Sequence, residues 1–159
     1  MIIWLASYPK SGNTLLRSMI SSYFFSNDGV FNFNLIKNID QFPVAKVFHE
    51  HGIDINNKIE MIKNYIKVQE HINQNNSVKF LKTHSQLINY ENKYPFTDLK
   101  NTLGVIHIVR DPRNVITSLK NHYQLDNEQA YSWITNEKNY IYNILDFENS
   151  GYGDFQFIS

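Results

Sequence analysis

Ile2-Ile3-Trp4-Leu5-Ala6 is an unbroken apolar run of β-branched and aromatic residues, the pattern of a parallel strand buried on both faces. The run predicts a first strand that ends near Ser7. Beyond a polar loop, Leu15, Leu16, Met19, Ile20, Tyr23 and Phe24 recur at helical spacing, with Arg17, Ser18, Ser21 and Ser22 filling the other face, and this predicts an amphipathic helix. From 27 to 76 the pattern weakens into what reads as a helical insertion. Its clearest element is a helix over Lys58 to Ile72 carrying Ile59, Ile62, Ile66 and Val68, stopped by Asn73-Gln74-Asn75-Asn76. Val78 to Lys82 and Gly104 to Val109 are short strand-like runs, the first ending at Thr83-His84 and the second at Arg110-Asp111-Pro112. Asp111 is a good helix N-cap and Pro112 suits the first helical position, so Val115, Ile116, Leu119 and Tyr123 predict a second amphipathic helix. A long third helix is expected over Asn127 to Phe147. Gly151 and Gly153 then break the chain before Phe155-Gln156-Phe157-Ile158, which reads as the start of another parallel strand cut off at Ser159. On that reading the sequence stops early and leaves apolar surface where further elements would pack.

Strand, loop and helix in alternation predict an α/β fold around a parallel sheet, with ligands at the carboxyl ends of the strands. A length of 159 residues suits one domain over 1–159 with a single continuous core. Fifteen Lys and Arg balance fifteen Asp and Glu, so no global field favours nucleic acid or an anionic membrane, and any anion site must be local. There is no Cys, which rules out disulfides and thiolate metal sites and fits a reducing, cytoplasmic setting. The apolar start lacks a basic leader, and no run approaches the roughly 20 residues that cross a bilayer, so neither signal peptide nor membrane span is expected.

Three strand ends carry candidate chemistry. Lys10-Ser11-Gly12-Asn13-Thr14 joins a buried strand to a helix N-terminus, where unpaired backbone N–H groups and the helix dipole favour a phosphate or sulfate. Gly12 permits close backbone approach, Lys10 adds a point charge, and Ser11 and Thr14 add hydroxyl donors. Such a turn is by itself more often an ordinary connection, and it is not the nucleotide-triphosphatase pattern, because Lys10 precedes the only glycine. Lys82-Thr83-His84 sets a cation beside the commonest general base, although a surface lysine and a satisfied histidine would read the same. The segment Ile108 to Arg113 ends an apolar strand with a guanidinium able to grip a phosphate bidentately, and Ser118 follows in the next helix. The alternative there is an Arg110–Asp111 ion pair and a solvent-facing Ser118. Together the loops bring Lys10, Lys82, Arg110 and Arg113 towards one sheet edge, which implies a polyanionic ligand.

These residues resemble the sulfotransferase family. Ser7-Tyr8-Pro9-Lys10-Ser11-Gly12-Asn13-Thr14 is similar to its 5′-phosphosulfate loop. The stretch from Val109 to Ser118 is similar to its 3′-phosphate segment, and Lys82-Thr83-His84 to the segment that carries its catalytic base. The resemblance implies a P-loop-like three-layer fold and 3′-phosphoadenosine-5′-phosphosulfate as donor. It further implies a metal-free in-line transfer to a hydroxyl or amine on a small-molecule, lipid or carbohydrate acceptor. It implies His84 as general base, Lys10 at the bridging leaving oxygen, and Lys82 with the loop N–H groups at the sulfuryl oxygens. Lys10, Ser11, Gly12, Asn13 and Thr14 would bind the 5′ side, and Arg110 with Ser118 the 3′-phosphate. Two departures stand out. The family commonly carries Thr-Thr-Trp where this chain has Asn13-Thr14-Leu15, and its later Arg-Lys-Gly loop has no counterpart here. The competing readings are a P-loop-type nucleotide kinase or hydrolase, for which the expected Mg²⁺ ligands are missing, and an inactive, truncated nucleotide-binding relative.

Overall fold

The computed structural model describes residues 1–136, together with the backbone strands at 140–143 and 154–157. The first apolar run forms β1 (Ile2–Ser7), and the polar loop after it opens α1 (Asn13–Phe25). A 3₁₀ turn at Leu35–Asn38 leads into β2 (Asp40–Gln41), followed by α2 (Ala45–Glu50), α3 (Lys58–Lys63) and α4 (Tyr65–Ile72). The expected helix over 58–72 is thus two helices. The break falls at Asn64, whose side chain donates to the Glu60 carbonyl over 2.8 Å, competing with the backbone ladder as Asn does in turns.

Next come β3 (Lys79–Thr83), a small antiparallel pair of β4 (Asn89–Tyr90) and β5 (Tyr94–Pro95), then β6 (Thr102–Ile108). Asp111 caps α5 (Pro112–Tyr123) by accepting from the Arg113 N–H, with Pro112 inside the first turn. Asp126 closes a capping box with Gln129 at the start of α6 (Asn127–Thr135). The long helix expected to Phe147 therefore ends at Thr135, and 140–143 form β7 (Tyr140–Asn143). β7 pairs antiparallel with β8 (Asp154–Phe157) in a separate two-stranded ribbon. The run at Phe155 is accordingly half of a hairpin and not the start of a strand in the parallel sheet. Ile158 lies outside the described residues.

The main sheet has the order β2-β3-β1-β6, and every neighbouring pair is parallel. The fold is α/β, a central parallel sheet flanked by helices. β1 sits between β3 and β6, with Leu5 beside both Lys82 and Ile106, and Ser7 beside Ile108. This register delivers the ends of β1, β3 and β6 to one edge, the position at which open parallel sheets bind ligands.

The core lies chiefly between the sheet and the segment expected to be a helical insertion. Trp4 from β1 packs on Phe42 and Phe96, with ring centroids 5.7 and 5.0 Å apart, and Phe48, Met61, Tyr65, Val68 and Leu81 join them fully or almost fully buried. Insertion and sheet therefore share one core. A second cluster of Val115, Leu119 and Ala130 holds α5 against α6, with Tyr8 and Trp133 at its margin. α1 behaves differently from its sequence pattern. Leu15, Met19, Tyr23 and Phe24 are all more than half exposed, whereas Asn13 and Ser21 are buried. Its polar side is what the chain ties down, since the Arg17 guanidinium donates to the carbonyls of Ile36 and Ile39 at 3.1 and 2.6 Å. On and just after β6, Leu103, Val105, Ile106 and Val109 are also exposed.

Candidate functional site

Lys10 has φ +67° and Gly12 φ +108°, so the loop after β1 makes two left-handed turns before α1 begins. At Gly12 a Cβ would meet nothing within 4 Å, so glycine is required there by the backbone conformation and not by crowding. At Lys10 the strain is braced from outside, because the Arg110 guanidinium donates to the Lys10 carbonyl over 2.9 Å. Ser11 N–H closes the turn onto the Tyr8 carbonyl at 3.2 Å. The loop leads directly into α1, whose N-terminus has no side-chain cap, and free N–H groups with the dipole at a helix start favour an anion.

Over this edge opens a cavity of about 510 Å³. Lys10, Gly12, Asn13 and Thr14 form one wall, Lys82 and His84 a second, and Arg110 and Ser118 a third. Three loops far apart in sequence thus meet round one space, with Lys10, Lys82 and Arg110 as its cations in a chain of zero formal charge. Two expected residues lie elsewhere. Ser11 is buried and borders a neighbouring cavity beside Pro112 and Val115. Arg113 is mostly exposed and forms a forked pair with Asp111, its Nη2 2.5 Å from a carboxylate oxygen. That pair holds the Asp111 carboxyl below its ordinary range, chiefly through the Arg113 side chain.

His84 is the most perturbed group in the cavity wall. Its Nδ1 lies 2.7 Å from the carbonyl oxygen of Ser7 and 3.2 Å from the Ser7 hydroxyl. A carbonyl oxygen can only accept, so Nδ1 carries the proton and Nε2 holds the lone pair. Burial, and then the charge of Lys82, lower the imidazole pKa from 6.5 to about 4; the bond to Ser7 opposes this and Arg17 adds to it. The ring is therefore neutral at pH 7, with a lone pair at Nε2, as a general base requires.

Asn13 turns its amide inward. Nδ2 donates to the Leu5 carbonyl at 2.8 Å and to the Ser7 hydroxyl at 3.1 Å, so its side chain ties the end of β1 to α1.

Four residues to which the sequence reading gives no catalytic or binding role belong to this region. His122 and Tyr123, at the end of α5, also line the cavity, and a strict count of helix faces from Ser118 would have found His122 one turn on. Ser7 orients His84. Gln41 of β2 accepts from the Lys82 ammonium at 2.6 Å, and nothing in the local sequence signals that contact. Among the described residues no helix is long and apolar enough to cross a membrane.

A family model described as "Sulfotransferase domain" matches residues 2–155, nearly the whole chain. No curated protein and no solved structure gave a match.

Proposed function

Because the chain belongs to the sulfotransferase domain family, we propose that its cationic cavity takes 3′-phosphoadenosine-5′-phosphosulfate, and that His84 serves as base for sulfuryl transfer to a hydroxyl or amine acceptor. One observation carries the reading: Lys10, Lys82 and Arg110 surround a space that also contains a histidine kept neutral and correctly protonated for base catalysis. The residues fit the donor on independent grounds. A left-handed loop braced at Lys10 offers N–H groups to a 5′-phosphosulfate, and Arg110 and Ser118 line the same cavity and are available to a second phosphate.

The donor supplies an activated sulfuryl group joined to a phosphate leaving group. His84 Nε2 accepts the proton of the acceptor O–H or N–H as the new bond to sulfur forms. Lys10 stabilises the negative charge left on the bridging oxygen as the old sulfur–oxygen bond breaks, and Lys82 with the loop N–H groups holds the sulfuryl oxygens. Arg110 and Ser118 grip the 3′-phosphate and so select this donor over plain adenine nucleotides. The acceptor is a small molecule, lipid or carbohydrate.

The deciding experiment is a thermal-shift series with 3′-phosphoadenosine-5′-phosphate, ADP, and ATP with Mg²⁺, since a ligand bound to the native state raises its stability. The 3′,5′-bisphosphate should give the largest rise. Equal shifts with ADP, or a larger one with ATP and Mg²⁺, would overturn the reading.

A further inference from the structure

β2 is only two residues long, yet its place is fixed from both sides. Gln41 lies in register with Lys82 on the neighbouring parallel strand, and the next N–H, that of Phe42, donates to the Lys82 carbonyl at 2.9 Å. The Phe42 ring is fully buried and packs on Trp4, Phe48, Tyr65 and Phe96. The backbone at Gln41 is therefore pinned by the core. From this fixed point the Gln41 side-chain oxygen accepts a 2.6 Å hydrogen bond from the Lys82 ammonium, and Lys82 forms part of the cavity wall.

We infer that Gln41 is a positioning residue for the anion site, holding the Lys82 ammonium at the cavity wall without cancelling its charge. A lysine side chain is rich in rotamer entropy, part of which a fixed acceptor removes before the ligand arrives. The type of acceptor matters. A carboxylate at this position would orient the ammonium equally well but would neutralise it, weakening the pull on a sulfuryl or phosphoryl oxygen. An amide oxygen orients it and adds no charge. The same choice reaches His84, because the Lys82 charge is one of the influences that keep that imidazole neutral, together with burial and Arg17 and against the Ser7 hydrogen bond. Gln41 thus links the segment before α2 to both the anion-binding and the base-bearing walls. This role rests on the functional reading above only for the identity of the anion.

The test uses the 159-residue chain with ¹⁵N-labelled histidine, and reads two quantities: the pH midpoint of His84 by NMR without ligand, and the affinity for 3′-phosphoadenosine-5′-phosphate by calorimetry. In Gln41→Glu the His84 midpoint should move upward and nucleotide affinity should fall roughly tenfold, the effect of weakening one charge-assisted hydrogen bond to the anion. Asn34→Asp, which adds the same charge at an exposed position before β2, should leave both at wild-type values. Gln41→Met removes the acceptor and adds no charge, so it should weaken nucleotide binding several-fold while moving the His84 midpoint less than Gln41→Glu does. If Gln41→Glu does not fold, Gln41→Met decides by its binding. Wild-type affinity and an unmoved His84 midpoint in a folded Gln41 variant would overturn the inference. A His84 midpoint that moves in Gln41→Glu, in a chain that binds no bisphosphate nucleotide, would uphold the role of Gln41 and overturn the functional reading.

Discussion

The Nδ1–H of His84 donates to the backbone carbonyl of Ser7 across 2.7 Å, so the end of one strand fixes the tautomer of a histidine at the end of its neighbour. A backbone carbonyl survives any side-chain substitution at residue 7, which makes the lone pair at Nε2 a property of the sheet register. By NMR the imidazole should titrate with a midpoint near 4, well under the ordinary 6.5, and show the Nδ1–H tautomer at neutral pH. In the transfer reaction His84→Ala should lower turnover by about 100-fold or more while nucleotide affinity stays near wild type. A midpoint at 6.5 or above would remove the basis for the assignment.

The same shift predicts a pH dependence of stability. The folded-state pKa of His84 lies below the unfolded value, so between about 4 and 6.5 the unfolded chain binds the extra proton. Stability from this group is complete above pH 6.5 and is lost as the pH falls towards 4, a change on the order of 3 kcal/mol. Urea unfolding at about pH 7, 6 and 5 should show the decline. A chain carrying His84→Gln should show a shallower one; identical slopes would place the titrating group elsewhere.

Arg110 has two tasks that binding data can separate. It supports the strained Lys10 carbonyl at 2.9 Å, and in the proposed function it holds the 3′-phosphate. Arg110→Ala should therefore weaken 3′-phosphoadenosine-5′-phosphate by roughly tenfold to a hundredfold, the cost of a charge-assisted hydrogen bond. Adenosine-5′-phosphosulfate, which has no 3′-phosphate, should lose only the smaller amount due to a loosened loop. Calorimetry giving equal losses for both ligands would leave Arg110 with the bracing role alone.

Gly12→Ala isolates the loop conformation. No atom lies within 4 Å of the added Cβ, so any cost arises from φ +108° and should be about 1 kcal/mol in unfolding free energy. Because the N–H groups of α1 would be displaced, nucleotide affinity should fall with it. An unchanged affinity would show that the loop backbone does not touch the ligand.

What could be read from the sequence follows from how local each signal is. β1, β3 and β6 are short apolar runs closed by polar residues, and Asp111-Pro112 is a local capping signal, so these elements and the three loops they carry were legible. The cavity then follows from parallel pairing alone. β2 was not legible, because two residues have no periodicity and their pairing with Leu81 and Lys82 is set by the burial of Phe42 among residues far along the chain. Helix periodicity misled at α1, where Leu15, Met19 and Tyr23 have the spacing of a buried stripe but face outward. There Asn13 and Arg17 fix the rotation of the helix through hydrogen bonds to the β1 end and to Ile36 and Ile39. Past Thr135 the expected helix to Phe147 gave way to a strand at 140–143, because that segment pairs antiparallel with 154–157, a contact that local periodicity does not register.

The segment before β3 offers a final test of how the molecule holds together, because its sequence reads as a helical insertion and its side chains pack into the same core as the sheet. Phe42 is fully buried, in ring contact with Trp4 of the central strand, with Phe48 and Tyr65 of the insertion helices, and with Phe96 just after β5. Truncation of such a ring leaves a cavity that rigid neighbours on several elements cannot fill, and Phe42→Ala should cost about 3 to 5 kcal/mol. Tyr23 is also a large aromatic residue, at a position where helical periodicity predicts burial, but it is 80% exposed. Tyr23→Ala should change stability by no more than about 0.5 kcal/mol. Both variants can be measured by urea unfolding, monitored by tryptophan fluorescence and by far-ultraviolet circular dichroism. If insertion and sheet form one core, Phe42→Ala shifts both signals together and weakens nucleotide binding, since Gln41 and Lys82 lose their anchor. Loss of helical signal in Phe42→Ala ahead of the Trp4 environment would show instead that the insertion folds as a unit of its own.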